Sequence, residues 1–351
     1  MNAILDGCRA RFREKLLDFV WSQWRVLGVA AATASPLPWF VDPEPLIPFS
    51  LDLARHDPRV FDELLDWLVT NGRWVNVRRM SALMRADGAG DPALVAAVAR
   101  TVAERSRSAG QWDLARALPP PERREPEPLF TIGDKPWGAV AEPDEAFLEY
   151  GFKRSRVAPR GQSREVPMAD PRCSVFLLRS LFGVGVRADV VNCLLLCGEG
   201  HPSGIGRLLG FSQKQVHDTL TAMAQSGLVE VRSAGRLRNY RLAGERWGRF
   251  LYGAGPARPQ WIDWRALVRG LTALLGGISA SSTLPESAEV AASMARSAMR
   301  AARRDLLASG AGAKLRDDAP HLGGAYLEVF EQDLAALGDL LVPKESDDAQ
   351  A

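Results

Sequence analysis

Apolar residues recur at helical spacing through most of the chain. In the N-terminal part this spacing predicts helices over 3–27, 58–71, 77–84 and 92–106. Asp57 and Asp91 each stand before a proline, which is the order of an N-cap and a first helical position. Near the other end the spacing predicts helices over 261–275, 287–307 and 326–341. The chain is therefore predicted to be mainly α-helical and multidomain, with an N-terminal helical domain (1–110) and a C-terminal one (258–342).

The helical period is lost over 111–170. Residues 119–128 are rich in proline and charge, which favours an extended linker, and a short helix is predicted over 144–152. Residues 153–167 carry five basic side chains against one acidic one and show no period, so a mobile connector is expected there. The polar residues 343–351 are predicted to form a disordered tail.

Between 171 and 252 the pattern changes several times over a short distance. Residues 188–197 are nearly all apolar and predict a buried helix, which the glycines and the proline of 198–202 end. A short helix is predicted from Ser203, and Gly210 offers the positive φ that a tight turn often needs. This order predicts a buried helix followed by two helices joined through a turn.

The helix after this turn has the most specific local sequence of the chain. Ser212 and Gln215 match a capping box, in which the side chain at N3 bonds back to the N-cap residue. Val216, Leu220 and Met223 are spaced four and three residues apart and therefore face inward together. Polar side chains are left on the opposite side of this helix.

A β-hairpin is predicted to follow. Residues 228–231 alternate between apolar and polar positions, 233–236 contain a turn, and 237–242 alternate again. Between 203 and 250 there are eight basic residues and three acidic ones, an excess of five, whereas the whole chain carries only +2. Positive charge concentrated on a small surface favours contact with phosphates, because bound counterions are released.

The segment 201–242 resembles the winged helix-turn-helix domain of ArsR- and MarR-type bacterial transcriptional regulators. The likeness lies in the order of short helix, glycine turn, serine-capped helix, Ser-Gly-Leu-Val segment and arginine-tipped hairpin. It implies a central winged helix-turn-helix domain over 171–252 with a small two-stranded wing. It also implies a homodimeric, sequence-specific regulator of double-stranded DNA, most simply a repressor. The flanking domains lie outside this resemblance.

Candidate DNA contacts follow from positions on the second helix, the hairpin and the turn. Polar side chains in the N-terminal half of such a helix meet base edges in the major groove. Arginines on the hairpin and before the turn are expected to hold phosphates or to reach the minor groove. The predicted DNA-binding residues are Arg207, Ser212, Gln213, Lys214, His217, Thr221, Arg232, Arg236, Arg238 and Arg241.

Three other clusters have a functional and a structural interpretation. Cys193, Cys197 and His201 are spaced like ligands of a soft metal, but an apolar helix and two glycines favour small buried hydrophobes instead. N-terminal aromatic residues at helical spacing favour core over a ligand pocket: Trp21, Trp24, Trp39, Phe40, Trp67 and Trp74. A basic face on the C-terminal alanine-rich helix favours solvation over DNA contact: Arg296, Arg300, Arg303 and Arg304. No metal and no cofactor are predicted.

Several classes of protein are disfavoured by what the sequence lacks. Phosphate-binding glycine loops, zinc-protease helices and nucleophile elbows are absent, so the chain is predicted not to be an enzyme. The sequence contains no run of 18 apolar residues, so no membrane span is predicted. Four cysteines are too few for a disulfide framework, and the N-terminus lacks the order of a signal peptide, so a cytoplasmic protein is expected.

Two alternatives stay open on the sequence. The protein is either a DNA-binding regulator or a protein-interaction adaptor, for example an antitoxin-like component of a phage-defence or toxin system. In the first case a small-molecule or protein effector is a further candidate partner, acting through the flanking domains.

Overall fold

The computed structural model describes residues 3–30, 37–106, 110, 112–113, 125–133, 135–137, 140, 142–156, 160–234, 237–242, 246–252, 258–280, 287–316 and 323–343. These residues are mainly helical with small sheets, which confirms the predicted fold class at this level. The predicted tail falls almost wholly outside the described residues.

Five helices build the N-terminal part, and three of them (α2, α3 and α5) begin with an aspartate N-cap followed by a proline. They are α1 (Ala3–Val26), α2 (Pro43–Ala54), α3 (Pro58–Asn71), α4 (Val77–Asp87) and α5 (Pro92–Arg105). Asp57 and Asp91 accept hydrogen bonds from the backbone N–H of the second residue of their helices, as the sequence predicts. Helix α2 begins in the same way at Asp42, but it is almost entirely buried and therefore lacks an amphipathic period by which to predict it.

The segment after α5 is anchored to the N-terminal helices. Short strands β1 (Glu127–Pro128) and β4 (Phe152–Lys153) pair in parallel, β2 (Thr131–Ile132) pairs with β3 (Lys135–Pro136), and α6 spans only Glu145–Leu148.

Two residues of this anchorage hold the described parts (153–156 and 160–167) of the segment that was expected to be a mobile connector. Arg154 is buried, pairs with Asp62 and lies over three phenylalanine rings. Asp66 of α3 accepts hydrogen bonds from the backbone N–H groups of residues 161–163. The basic connector is therefore held by partners far away in sequence, which a local pattern cannot reveal.

The central unit (171–252) alternates helices with a small sheet. Its elements are α7 (Ser174–Phe182), α8 (Val186–Cys197), β5 (Glu199–Gly200), α9 (Pro202–Leu209), α10 (Gln213–Gln225), β6 (Val229–Ala234), β7 (Leu237–Leu242) and α11 (Arg246–Tyr252). Strands β6 and β7 form the predicted hairpin, and β5 adds a third, antiparallel strand beside β7. The sequence pattern instead predicted residues 198–202 only as a break between two helices.

The C-terminal part consists of α12 (Trp264–Ala280), α13 (Ala288–Ser309) and α14 (Tyr326–Leu341). Helices α12 and α13 approach closely, because Gly277 faces Ala298 and Gly270 faces Leu306. Added Cβ atoms at these glycines would lie 2.6 and 2.8 Å from their neighbours, so the approach depends on glycine.

Two buried clusters hold the chain together. The larger combines residues from α1 to α7 with residues from 262 to 342, so the N-terminal and C-terminal helices share one core. Trp264 stacks on Phe19 at 5.9 Å and donates from Nε1 to the Phe40 carbonyl at 2.6 Å. We call the described residues of 3–106 and 258–343 the helical body. The predicted division into separate N- and C-terminal domains stays a prediction.

The smaller cluster belongs to the central unit. It combines Leu178, Ala188, Val190, Val191, Cys193, Leu194, Ile205, Leu209, Val216, Leu220, Met223, Val229 and Tyr240. Residues from α8, α9, α10 and both hairpin strands meet there, so this small core fixes the helices relative to the hairpin.

Candidate nucleic-acid interface

The turn between α9 and α10 is built on two glycines. Gly210 has φ +76°, which an L side chain rarely adopts, and its N–H caps α9 by bonding to the Gly206 carbonyl. The N–H of Phe211 donates to the same carbonyl at 3.0 Å. A Cβ at Gly206 would lie 2.8 Å from the Phe211 carbonyl oxygen. These contacts hold the end of α9 close to the start of α10.

Helix α10 begins with the predicted capping box. The Ser212 hydroxyl accepts from the Gln215 N–H at 3.2 Å, and the Gln215 side chain accepts from the Ser212 N–H at 3.1 Å. Both side chains are therefore engaged in fixing the helix start. The inward residues Val216, Leu220 and Met223 are buried, as the spacing predicts.

The outward face of α10 carries the predicted base-contacting residues. Gln213, Lys214 and His217 are exposed, whereas Thr221 is half-buried. Lys214 forms an ion pair with Asp218 at 2.5 Å, and the hydrogen bond from Lys214 lowers the pKa of Asp218. Because both side chains are largely exposed, this ion pair costs little to break when another anion approaches.

The register of the hairpin separates its arginines. Residues directly opposite each other in an antiparallel pair share a face of the sheet. Arg238 is opposite Ser233, on the face that carries the buried Val229 and Tyr240. Arg232 lies on the other face, and both arginine side chains are exposed. The hairpin therefore presents positive charge on both sides.

Arg241 has a different environment from these two arginines. Its Nε donates to Glu230 at 2.7 Å, and Glu199 on β5 stands opposite it on the other flank. Its charge is thus compensated within the sheet. Arg236, the predicted tip residue, lies outside the described residues.

Arg207 lies in the last turn of α9 with an exposed side chain. Its carbonyl oxygen accepts a hydrogen bond from Nη1 of Arg265 at 2.9 Å. The neighbouring Leu209 carbonyl accepts from Nε of Arg79 at 2.6 Å. Sequence reasoning missed Arg79 and Arg265, because neither residue lies near the central unit along the chain.

The cysteine cluster is only partly as predicted. Cys193 is buried, but Cys197 is exposed, so the interpretation of both as buried hydrophobes is wrong for Cys197. The helix end turns its last side chain outward just before Gly198. A hydrogen bond from Cys193 lowers the pKa of the Cys197 thiol. Within the described residues no three potential ligands come together around a metal position.

The N-terminal aromatic residues mostly form core, as predicted. Trp24, Trp39 and Trp67 are buried in the larger cluster. Trp21 instead lines a cleft of about 490 Å³ beside α3, and a second cleft of about 340 Å³ lies between α1 and α14. On α13 the basic residues differ in environment: Arg300 and Arg304 are exposed, whereas the guanidinium of the half-buried Arg296 lies 4.5 Å from the centre of the Tyr326 ring.

Comparison with known proteins places the chain in no family. It matches no protein-family model, and neither a curated protein nor a solved structure is significantly similar to it. Among the described helices, none combines the length and the apolar character that crossing a bilayer requires.

Proposed function

We propose that the central unit is a winged helix-turn-helix domain that binds double-stranded DNA, and that the protein is a cytoplasmic transcriptional regulator, a repressor acting as a homodimer. The observation that carries this proposal is the sequence of elements in the central unit. A buried helix, a short strand, two helices joined by a glycine turn and a hairpin follow one another, with the sheet order β5-β7-β6.

In this proposal α10 is the helix that enters the major groove. Gln213, Lys214 and His217 project from its first two turns, where such a helix meets base edges. The capped N-terminus of α10 adds the positive end of the helix dipole. Ser212 acts by fixing this terminus, since its hydroxyl is engaged in the capping box.

The positive charge around α10 supplies affinity without sequence preference. Arg207 lies in the last turn before α10 and Arg232 and Arg238 lie on the hairpin, and all three side chains are exposed. Guanidinium groups of this kind bind phosphate oxygens and position the protein along the duplex. Sequence preference is then left to α10.

An adaptor function is the second candidate, because the central unit also exposes apolar side chains. Phe250 of α11 is 68% exposed and Leu181 of α7 is 48% exposed, with Trp247 packed between Phe182 and Phe250. Such side chains suit protein contact. In a DNA-binding protein they are available for self-association, and in an adaptor or antitoxin-like protein for a different partner.

The deciding experiment measures binding of the full chain to mixed-sequence duplex DNA by fluorescence anisotropy over a range of salt concentrations. We expect an affinity that falls steeply with salt. The double variant Arg232→Ala/Arg238→Ala is expected to bind more weakly and to reduce the salt slope by about 1.8, since each phosphate contact contributes about 0.9. Arg304→Ala is the matched control, because Arg304 is an exposed arginine on α13.

Absence of duplex binding at low salt contradicts the DNA proposal and favours the adaptor. Equal effects of the double variant and of Arg304→Ala also contradict it. Selection of bound sequences from random duplexes then tests specificity and self-association together. A two-fold symmetric site is expected if a homodimer binds, because its half-sites mirror the symmetry of the protein.

A further inference from the structure

The backbone carbonyl groups at the C-terminus of α9 accept hydrogen bonds from side chains in two other parts of the protein. The last carbonyl groups of a helix have no partner within the helix, and each needs one from elsewhere. At α9 the N–H groups of Gly210 and Phe211 in the turn donate to the Gly206 carbonyl. The Arg265 side chain donates to the Arg207 carbonyl, and the Arg79 side chain donates to the Leu209 carbonyl. Arg265 belongs to α12 and Arg79 to α4, so the helical body caps the helix that precedes α10.

Arg79 is held in place by two buried carboxylates. Its Nη1 and Nη2 donate to Asp42 at 2.7 and 2.6 Å, and Nη1 donates to Glu44 at 2.6 Å. Its guanidinium carbon also lies 5.8 Å from the centre of the Phe211 ring, in the turn itself. The Arg79 side chain thus makes four hydrogen bonds, one of them to the C-terminus of α9.

The same charges reach α8. Arg179 of α7 donates to both oxygens of Glu44 at 2.8 Å and to Asp189 of α8 at 2.9 Å. Burial raises the pKa of Glu44 to about 7, against the pull of the Arg179 and Arg79 guanidinium groups. Buried charges are costly unless the geometry of every pair is kept, so this cluster resists rotation of the central unit against α2 and α4.

Arg265 is anchored by a second, more exposed set of ion pairs. It donates to both oxygens of Asp87 at 2.6 and 2.7 Å, while its Nη1 reaches the Arg207 carbonyl. Arg269, one turn further along α12, pairs with Asp87 at 3.3 Å and with Asp305 at 2.7 Å. Arg269 shares the anchor of Arg265, but Asp87 and Asp305 both belong to the helical body.

The turn itself also touches α4. A Cβ at Gly210 would lie 2.4 Å from Cδ2 of Leu83, so the backbone of the turn lies directly on this side chain. Together with the two arginines, this contact fixes the turn from α4 and from α12. Hydrogen bonds are directional, and they therefore restrict the orientation of α9 relative to α4 and α12, which apolar packing alone would leave adjustable.

We infer that Arg79 and Arg265 are positioning residues for DNA binding, which fix the angle at which α9 and α10 are presented and make DNA affinity depend on the helical body. This inference rests on the proposed function. It assigns these arginines no contact with DNA: they act through the carbonyl groups of Leu209 and Arg207.

The test compares Arg265→Ala with Arg269→Ala in the full chain. Both variants remove an ion pair to Asp87, but only Arg265→Ala removes a hydrogen bond to α9. We expect Arg265→Ala to lower DNA affinity roughly tenfold and Arg269→Ala to leave it near that of the unaltered protein. The salt slope of Arg265→Ala is expected to stay unchanged, because no phosphate contact is lost.

Arg79→Lys provides a second variant that keeps a buried positive charge beside Asp42 and Glu44. A lysine cannot serve both carboxylates and the Leu209 carbonyl in one plane, so lower affinity at an unchanged salt slope is again expected. Thermal unfolding of each variant shows whether the fold is kept. Equal affinities of Arg265→Ala and Arg269→Ala overturn the inference, and so does a salt slope reduced by about 0.9, which indicates a direct phosphate contact.

Amide hydrogen exchange separates failure of this inference from failure of the proposed function. The N–H groups of Gly210 and Phe211 bond to Gly206 and report on the turn without DNA. Faster exchange at these groups in Arg265→Ala but not in Arg269→Ala supports the positioning role of Arg265 even if duplex DNA is not bound. Unchanged exchange in both variants overturns it.

Discussion

Arg241 donates from Nε to a carboxylate oxygen of Glu230 at 2.7 Å, across the two strands of the hairpin. Glu199 stands opposite Arg241 on its other flank. The arginine is therefore surrounded by negative charge within the sheet, in contrast to the exposed Arg232 and Arg238. Arginines that are equivalent in the sequence pattern are made unequal by the strand register.

The first prediction follows from this inequality. Arg241→Ala is expected to reduce DNA affinity less than Arg238→Ala does, because Arg241 must first leave Glu230 to contact a phosphate. Anisotropy titrations at one low salt concentration measure the difference. Glu230→Gln serves as the complement: it frees Arg241 and is expected to strengthen binding. A larger loss of DNA affinity for Arg241→Ala than for Arg238→Ala would contradict the view that Glu230 compensates the charge of Arg241.

The second prediction concerns the turn. Gly210→Ala is expected to lower the free energy of unfolding by about 2 kcal/mol or more, because it combines a positive φ with a Cβ that has no room beside Leu83. Gly204→Ala is the matched control: Gly204 lies inside α9 with open space around it, and alanine is expected to add up to about 1 kcal/mol. Urea unfolding followed by circular dichroism measures both, and comparable stabilities would refute the role of the turn.

The third prediction concerns pH. Burial raises the pKa of Asp52 to about 6, above its usual value of 3.8. Between about pH 4 and pH 6 Asp52 is therefore protonated in the folded protein but ionised in the unfolded chain. The free energy of unfolding consequently falls as the pH rises through this range. Asp52→Asn keeps an oxygen for the N–H of Asp91 and is expected to raise stability at pH 7.5 by on the order of 2 kcal/mol.

Thermal unfolding of Asp52→Asn and the unaltered protein at several pH values tests this expectation. The difference between their melting temperatures should shrink as pH falls towards 4, where both carry a neutral side chain. A difference that stays constant over this range would show that Asp52 does not titrate as expected.

The fourth prediction concerns thiol reactivity. Cys197 is exposed and its pKa is lowered by the hydrogen bond from Cys193, whereas burial raises the pKa of Cys8 to about 11. Iodoacetamide at pH 8 is therefore expected to label Cys197 first, since the thiolate is the reactive form. Mass spectrometry of the labelled peptides measures the order, and Cys197→Ser should abolish the fast phase. Equal labelling of Cys8 and Cys197 would refute the assignment.

Local interactions explain how much of the fold could be predicted. The start of α3 at Asp57 and the capping box of Ser212 and Gln215 depend on atoms at most three residues apart, and both are present as expected. The inward spacing of Val216 and Leu220 depends on the helical period alone. Helices with such caps and one apolar face can be predicted from a sequence, because the residues that define them are close together along the chain.

Elements without a local signal were missed or misjudged. Helix α2 is buried on nearly every side and has no polar face to give it a period. Strand β5 is two residues long, and only pairing with β7, some forty residues later, makes it a strand. The basic connector was expected to be mobile because its partners, such as Asp62 for Arg154, lie outside any local window.

The sequence by itself determined the caps, the helical periods, the glycine turn and the arginine-bearing hairpin of the central unit, because each depends on neighbouring residues. Only the tertiary structure decided what surrounds that turn. Arg79 and Arg265 reach α9 across 130 and 58 residues of chain. Nothing in their own neighbourhoods marks them, since a hydrogen bond between residues far apart in sequence becomes visible only when the fold brings donor and acceptor together.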